Sequence, residues 1–437
     1  MSDSTSRRSF LQSVGLGAAA FGSGVPNLFG QDKAAKPIRF AVIGTGGRGT
    51  GLMRALLNFP GVEVVAMCDI NEKHLNRAIE IVKRVKGNTP AGYSKDEYDY
   101  RNMLKRKDCD GVLVATPQKW HARMSVDCMK AGKSVGCEVP AGWTVDEMLE
   151  LVATKEETGK RYMLLENYVY MRRHMAILSM VQKGLFGEPY YGLCSYIHRT
   201  PSLYFKPDGT LAWRGLTYLQ AYGNIYPTHA LGPVSKWFGI NDGDRFEYCT
   251  SMMTEPPRMM HKYAVERCGP ESEAAKAKFI AGEFVPTMIK TAKGSVIQVN
   301  FDGQSPRHAD NYYLLQGTNG IYDSRRNIYI ESGPQKGDHP NGYAEEEHEN
   351  EIWKRHFEEA EKSGHGGGDY FVMSDLCEMV RQDREPWIDV YDAAAWSAII
   401  GCSKMSIDRK GMPTEIPDFT NGRWEDASWR KDSMKPV

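Results

Sequence analysis

The sequence predicts an α/β protein: a doubly wound parallel sheet in the N-terminal part, followed by an α+β domain with an open, mostly antiparallel sheet. Apolar, β-branched runs alternate with helical patterns up to about residue 165, which is typical of a parallel sheet. A glycine-rich turn joins the first of these runs to the first helical pattern. Beyond about residue 166 the strand-like runs lie further apart, between glycine and proline residues, which favours antiparallel pairing.

Five strands are predicted in the parallel sheet. The first, I-R-F-A-V-I, is short, apolar and β-branched, and it leads directly into the glycine-rich turn. Leu52, Ala55, Leu56 and Phe59 then recur at helical spacing. The strands are predicted at Ile38–Ile43, Val62–Cys68, 111–116, Ser134–Cys137 and 162–165, and the later helices at 72–85, 120–131 and Val145–Thr158.

The second half is predicted to begin with a helix over 170–183 that Gly184 ends. Strand-like runs follow, with helical insertions between them, and helices return towards the C-terminus. These strands are predicted at 190–197, 246–252, 295–301, 312–316 and 321–322, and the last helices at 348–362, 369–381 and Val390–Asp408.

Charge and hydropathy exclude several classes of protein. The 437 residues include 55 Lys plus Arg and 55 Asp plus Glu, so the formal charge is zero and no nucleic-acid partner is predicted. The mean hydropathy is −0.49, and no apolar run approaches the ~18 residues of a membrane span. Nine cysteines without a C-x-x-C pair indicate reduced, partly buried thiols, and no metal site is predicted.

The N-terminal residues 1–35 are predicted to be an export signal. The run S-R-R-S-F-L-Q at 6–12 precedes a weakly apolar stretch rich in glycine and alanine at 13–30. Twin arginines followed by such a stretch resemble a Tat signal, which implies the Tat machinery as a partner and a periplasmic or cell-envelope location. A disordered basic tail is the alternative. Cleavage is expected somewhere before Lys36, although no A-x-A site is present.

The glycine-rich turn predicts a dinucleotide site. Gly44, Gly46 and Gly49 form G-x-G-x-x-G between a strand and a helix, and Asp69 ends the next strand 20 residues beyond Gly49. These glycines allow a tight turn, close approach of the pyrophosphate, and close packing of helix on strand. The Asp69 carboxylate can bind the ribose hydroxyls and would repel a 2′-phosphate, which favours NAD over NADP. Residues 36–165 are therefore predicted to be an NAD-binding Rossmann domain, and residues 166–437 a substrate and oligomerisation domain.

Further motifs resemble the Gfo/Idh/MocA oxidoreductases. They are A-T-P at 115–117 with His121 after it, and C-E-V-P at 137–140. That family usually has Glu-Lys-Pro in the second motif, and its lysine is a common catalytic acid/base. Val139 stands at that position here, and valine cannot exchange a proton, so the resemblance does not imply an ordinary sugar dehydrogenase mechanism.

Glycoside hydrolase family 109 is a narrower branch that the sequence resembles over nearly the whole mature chain. Its members are NAD-using α-N-acetylgalactosaminidases, commonly with the same kind of export signal. The matching motifs are E-V-P-A at 138–141, L-E-N-x-x-Y at 165–170, G-L-F-G-E at 184–188, Y-I-H at 196–198, N-I-Y-P-T-H-A-L-G-P at 224–233, G-D-R-F at 243–246, Q-G-T at 316–318, G-H-G-G at 364–367 and D-V-Y-D-A-A-A-W-S at 389–397.

The resemblance implies a set of binding residues. Those that match NAD contacts in the family are Gly47, Arg48, Asp69, Gln118, Lys119, Trp120, His121, Glu138, Val139 and Asn167. Those that match substrate contacts are Tyr196, Arg214, Tyr226, Pro227, Thr228 and His229. Two departures affect the glycan specificity: the family's Pro-Tyr-Ser-Arg, whose Tyr contacts substrate, is H-A-D-N here at 308–311, and the stretch 212–223 also differs.

The resemblance further implies hydrolysis by transient oxidation. Oxidation of sugar C3 by NAD⁺ makes the C2 proton removable, the leaving group at C1 departs, water adds, and the hydride returns to C3. We expect His229 and Tyr170 to be the acid/base pair. The alternatives are a helix-start residue bonded to backbone for His229 and a core aromatic for Tyr170. His121 is expected to line the nicotinamide pocket, and His365 to lie in a loop held against the site.

Export implies a captive cofactor, because no soluble NAD pool exists outside the cytosol. Tightly bound NAD that is restored in each cycle satisfies this requirement. We therefore expect a hydrolase acting on an α-linked amino sugar or a related glycan, and a homo-oligomer by analogy of fold. The first alternative is a sugar oxidoreductase that forms 3-keto products or exchanges hydride between two sugars. The second is a binding or sensor protein that has lost catalysis.

Overall fold

The computed structural model describes residues 37–331, 345–426, 428–433 and 435. The predicted export signal at 1–35 lies outside the described residues. Among the described helices, none combines the length and the apolar character that crossing a bilayer requires.

The predicted parallel sheet is confirmed, with six strands in the order β3-β2-β1-β4-β5-β6. Every adjacent pair is parallel. The additional strand, β3, was not predicted, because its three residues A-G-Y carry no apolar pattern. The strands are β1 Ile38–Ile43, β2 Val62–Cys68, β3 Ala91–Tyr93, β4 Gly111–Val114, β5 Ser134–Cys137 and β6 Tyr162–Leu164.

Local chemistry explains where the helices around this sheet begin and end. The Asn71 side chain accepts hydrogen bonds from the first turn of its helix, and the left-handed Gly87 ends that helix. Thr144 and Glu147 form a capping box at the start of another helix. The helices of this part are α1 Gly47–Leu57, α2 Glu72–Lys86, α3 Tyr100–Leu104, α4 His121–Lys130 and α5 Val145–Thr158.

The second sheet is also confirmed as mostly antiparallel. Its eight strands have the order β13-β12-β11-β7-β10-β9-β8-β14, and only the β7–β10 pair is parallel among its pairings. The sequence did not predict β9, β13 or β14. The strands are β7 Pro189–Ile197, β8 Phe246–Ser251, β9 Phe284–Thr291, β10 Val296–Asp302, β11 Tyr313–Gly317, β12 Gly320–Asp323, β13 Asn327–Ile330 and β14 Thr414–Glu415.

In the described part of the chain, eight further helices accompany this sheet. Three of them, α7, α9 and α10, lie between strands, where the sequence predicted helical insertions without giving their bounds. The helices are α6 Arg172–Gln182, α7 Trp213–Gln220, α8 Thr228–Trp237, α9 Met259–Cys268, α10 Glu273–Lys276, α11 Glu351–Glu361, α12 Gly368–Gln382 and α13 Val390–Asp408.

Helix α12 returns from the C-terminal part to cover the parallel sheet. A Cβ on Gly136 would lie 2.7 Å from Leu376, and one on Gly111 would lie 2.9 Å from Val380, so glycines in β4 and β5 make room for this helix. A parallel sheet needs both faces covered, and α12 and α13 supply part of that cover from distant sequence. The start of α12 is thereby placed beside α1 and the glycine-rich turn.

All nine cysteines lie in the described part of the chain, and none of them forms a disulfide. Eight are buried and Cys268 is half-buried. They pack as small apolar side chains.

Candidate functional site

The glycine-rich turn leaves an open cradle at the start of α1. Gly44 has a φ of +88°, and a Cβ there would lie 2.6 Å from the Ala115 carbonyl oxygen. A Cβ on Gly49 would lie 1.9 Å from the Gly44 oxygen, so both glycines are required by packing. Cβ atoms on Gly46 and Gly47, by contrast, would meet nothing within 4 Å. No side chain caps the helix at Gly46, so its first N–H groups are available to a phosphate.

Asp69 lies beside this turn at the carboxyl end of β2. One carboxylate oxygen accepts hydrogen bonds from the Thr45 amide at 2.7 Å and the Thr45 hydroxyl at 3.0 Å. The other oxygen accepts from the Asn71 amide at 2.8 Å. The carboxylate is thus fixed in position and half exposed, as ribose binding requires.

His121 joins the ends of β4 and β5. Its Nδ1 lies 2.7 Å from the Pro140 carbonyl oxygen and its Nε2 lies 2.8 Å from that of Thr116. Since a carbonyl oxygen can only accept, this geometry favours a ring with hydrogen on both nitrogens. Burial opposes the charge, but the Cys137 sulfur and the two carbonyls raise the pKa of His121 to about 9. His121 is therefore a buried link between the segments that follow β4 and β5.

The three residues before His121 are placed differently from one another. Gln118 is buried, and its Oε1 accepts a hydrogen bond from the Trp143 indole at 3.2 Å. Trp120 is half-buried and packs edge-on against Tyr98. Lys119 is exposed.

Arg48 links the glycine-rich turn to both halves of the chain. Its Nε donates to Glu138 at 2.6 Å, and its two terminal nitrogens donate to the Asp369 carboxylate at 2.8 Å each. Asp369 also accepts from Asn167 Nδ2 at 2.8 Å and lies 2.9 Å from His365 Nδ1. Although burial opposes it, hydrogen bonds from His365 and Arg48 hold the pKa of Asp369 far below its usual range. Arg48, Glu138 and Asn167, predicted separately, are thus brought together.

Glu138 has a second fixed contact. Its other carboxylate oxygen accepts a hydrogen bond from the Val139 amide at 3.1 Å. Against the cost of burial, the charge of Arg48 lowers the pKa of Glu138, and His229 lowers it further. The Val139 side chain is buried and offers no proton-exchanging group.

His229 has the geometry of a supported acid/base. It lies in the first turn of α8, and its Nδ1 is 2.6 Å from Oε1 of Glu166, which is fully buried. The Tyr313 hydroxyl fixes the His229 backbone by donating to its carbonyl at 2.7 Å. With Nδ1 held by the carboxylate, Nε2 has no hydrogen-bond partner among the described residues and can exchange a proton with a bound molecule.

Three tyrosines surround the His229 ring. Tyr168 stacks on it with centroids 4.1 Å apart and planes 9° apart. Tyr196 and Tyr226 lie 5.3 and 5.2 Å away, at steeper angles. The Tyr168 hydroxyl accepts a hydrogen bond from Asn311 Nδ2 at 3.1 Å.

The residues predicted to bind substrate lie together beside His229, and we call them the substrate wall. Tyr196 and Tyr226 stack at 4.8 Å, and Arg214 Cζ lies 6.0 Å from the Tyr226 centroid. Burial raises the pKa of Tyr226 to about 12, although Arg214 opposes this, so its hydroxyl is protonated at neutral pH. Pro227 and Thr228 are buried at the start of α8.

The prediction that Tyr170 is catalytic is corrected by the structure. Its hydroxyl is buried and donates to Asp375 at 2.6 Å, and its ring packs against Phe371 and Trp387. Residues Asn167–Tyr170 form a 3-10 turn, in which residues two apart point to different sides. Tyr168 therefore faces His229, and Tyr170 belongs to the core.

Four site residues were missed from the sequence: Glu166, Tyr168, Asn311 and Asp369. Glu166 could have been found, because it follows the end of a parallel strand, where ligand crevices form. Asp369 carried a weaker indication in the adjoining glycine run. A Cβ on Gly368 would lie 2.3 Å from the Asn167 oxygen, so glycine is needed for this close approach. Among the described residues no group of three His, Cys, Asp or Glu side chains is arranged to hold a metal ion.

Comparison with solved structures shows the fold. The chain is similar to levoglucosan dehydrogenase in complex with NADH, with a TM-score of 0.66 and 17% identity over 87% of this chain and 100% of that one. It is also similar to an oxidoreductase domain protein from Kribbella flavida, with a TM-score of 0.63, 17% identity and the same coverage.

Comparison of sequences shows the family. Residues 38–166 match the description "Oxidoreductase family, NAD-binding Rossmann fold", and residues 170–426 match "Glycosyl hydrolase 109, C-terminal domain". A glycosyl hydrolase family 109 protein of Solibacter usitatus is 38% identical over 97% of this chain and 99% of its own length. A Shewanella oneidensis protein named alpha-N-acetylgalactosaminidase is 36% identical over 89% of this chain and 86% of its own length. The chain is an enzyme of sugar chemistry that belongs to glycosyl hydrolase family 109.

Proposed function

We propose that this protein is an NAD-dependent glycosidase that hydrolyses an α-linked amino sugar or a related glycan. One observation carries the proposal: the Nε2 of His229, backed by buried Glu166, has no hydrogen-bond partner among the described residues and can exchange a proton with a bound sugar. Glu138 connects His229 with the cradle. It forms an ion pair with Arg48 of the cradle, and the charge of His229 lowers the pKa of Glu138.

The residues present fit a nicotinamide dinucleotide. The open backbone at Gly46 and Gly47 leaves room for a pyrophosphate, and the fixed Asp69 carboxylate suits a free ribose hydroxyl pair. Arg48 and Asn167 would hold the nicotinamide end through the carboxylates that fix them. When bound, the cofactor would take a hydride from sugar C3 and later return it.

The protein's own groups move the protons and position the sugar. His229 Nε2 accepts a proton from the sugar, and the Glu166 carboxylate stabilises the imidazolium that forms. The Tyr168 ring, which stacks on His229, stabilises that imidazolium further through a cation–π contact. The protonated Tyr226 hydroxyl and the Arg214 guanidinium donate hydrogen bonds to sugar oxygens.

A cycle of this kind consumes no cofactor, which suits a protein exported by a Tat signal with NAD already tightly bound. We propose that the protein is exported and that it retains its NAD. We also propose that it is a homo-oligomer built on the second sheet. The redox-neutral cycle links export with retention, because an exported enzyme has no soluble NAD pool to draw on.

The test uses the full-length protein without added NAD. It is incubated with aryl glycosides that include the α-N-acetylgalactosaminide, in deuterated water. We expect many turnovers per protein molecule, with solvent deuterium at C2 of the released sugar. A single burst of NADH absorbance would instead show a sugar oxidoreductase, and tight sugar binding without reaction would show a sensor. His229→Ala should abolish turnover and keep the dinucleotide.

A further inference from the structure

An exposed apolar patch lies on helix α7, next to the site. The Trp213 side chain is 38% exposed and Leu216 is 40% exposed. Residues three apart on a helix lie on the same face, so these two side chains are neighbours. Large apolar side chains exposed side by side are candidates for ligand contact.

The patch is continuous with the substrate wall. The Arg214 guanidinium lies 4.4 Å from the Trp213 centroid and 6.0 Å from that of Tyr226, which in turn lies beside His229. Arg214 therefore contacts the exposed indole and also approaches the half-buried pair Tyr196 and Tyr226. Trp213 is thus the exposed end of this series of contacts.

Packing holds α7 firmly in place. A Cβ on Gly215 would lie 2.3 Å from the Tyr204 carbonyl oxygen, so the helix rests directly on that segment. The Tyr204 hydroxyl in turn donates to the Gly303 carbonyl, beyond the end of β10. A rigid aromatic surface binds a ligand with a low entropic cost.

We propose that Trp213 and Leu216 form a second subsite, which binds the pyranose ring that leaves when the glycosidic bond is cleaved. The inference rests on the proposed function. A sugar enclosed by Tyr196, Tyr226 and His229 carries its leaving group outwards, past Arg214. The C–H face of a pyranose is apolar and matches an indole ring, whereas its hydroxyl groups stay in water. This chemistry differs from that of the inner site, where charged and hydroxyl groups dominate.

The experiment compares two substrates with the same transferred sugar. One is the methyl glycoside, whose leaving group is too small to reach Trp213, and the other is a disaccharide with a pyranose leaving group. In Trp213→Ala we expect the ratio of kcat/KM for disaccharide over methyl glycoside to fall about tenfold, mainly through KM. Loss of the Trp213 ring also releases Arg214, but this affects both substrates alike and therefore cancels in the ratio. Trp213→Phe should keep most of the ratio of the unsubstituted protein, and Leu216→Ala should lower the ratio less than Trp213→Ala does.

The control is Met288→Ala, which removes an equally exposed side chain, 38%, from strand β9 and not from α7, and should leave the ratio unchanged. An unchanged ratio in both Trp213→Ala and Leu216→Ala would overturn the subsite. A change of oligomeric state without a change of ratio would also overturn it, because the patch would then be an interface between copies. If the unsubstituted protein turns over neither glycoside, the proposed function itself fails.

Discussion

Replacing Glu166 by Gln tests the support of His229 with little change of shape. The carboxylate is fully buried and accepts a hydrogen bond from His229 Nδ1 at 2.6 Å. Glutamine offers a neutral carbonyl oxygen in its place. The positive charge that develops on His229 during proton transfer then loses its paired carboxylate.

The expected magnitude follows from this contact. A hydrogen bond to a charged group contributes about 1.5–3 kcal/mol, against about 0.5–1.5 kcal/mol for a neutral one. A loss of about 2 kcal/mol from the transition state corresponds to a fall in kcat of about 30-fold. KM should change little, because Glu166 is buried behind His229 and does not line the sugar site.

The assay is steady-state hydrolysis of an aryl glycoside, with dinucleotide content measured after denaturation and folding followed by thermal unfolding. Dinucleotide content should equal that of the unsubstituted protein, because the described hydrogen bonds of Glu166 involve His229 and the Tyr168 amide, and none of them involves the cradle. Folded, loaded Glu166→Gln protein with unchanged kcat would refute the acid/base role of the Glu166–His229 pair.

Three further predictions test the neighbouring groups. Tyr168→Phe should lower kcat about fivefold by removing one hydrogen-bonding hydroxyl from the site. Tyr170→Phe should lower only the unfolding free energy, by about 2 kcal/mol, because its hydroxyl donates to the buried Asp375 carboxyl. Equal kinetic losses in both would contradict the assignment. Asp369→Asn should weaken the ion pair that holds Arg48, so that dialysis removes dinucleotide faster than from the unsubstituted protein. Equal retention would argue against a role of this ion pair in holding the dinucleotide. The pKa of His121 is raised to about 9 from 6.5, so its stabilisation, about 3 kcal/mol, is complete below pH 6.5 and lost as pH rises through 9. Denaturant unfolding at a series of pH values should show this loss, and His121→Gln should lack it.

Much of the secondary structure could be predicted from the sequence, because the patterns that specify a strand or a helix lie within a few neighbouring residues. The strand Ile38–Ile43 and the helices Val145–Thr158 and Val390–Asp408 have the predicted bounds, since apolar periodicity and capping residues act over a few positions. The dinucleotide turn was predictable for the same reason, because its glycines and Asp69 belong to consecutive elements. The short strand β3 was missed, because three residues cannot show a period.

The candidate site was predictable only in part. Family motifs named His229 and Arg48, and the structure pairs each of them with buried carboxylates, Glu166 for His229 and Glu138 and Asp369 for Arg48. The choice between Tyr168 and Tyr170 depended on a 3-10 turn that the apolar pattern did not reveal. The partner of His229, Glu166, lies 63 residues away in the chain and belongs to a different element.

By itself the sequence determined the class of each sheet, most of the strands and helices, and the glycine-rich turn, because their patterns are carried by neighbours in the chain. Only the tertiary structure decided which side chains meet. Arg48 and Asp369 are 321 residues apart, and their contact exists because α12 packs back onto the parallel sheet. Helix packing selects partners by shape and burial over the whole molecule, and no local pattern of residues records that selection.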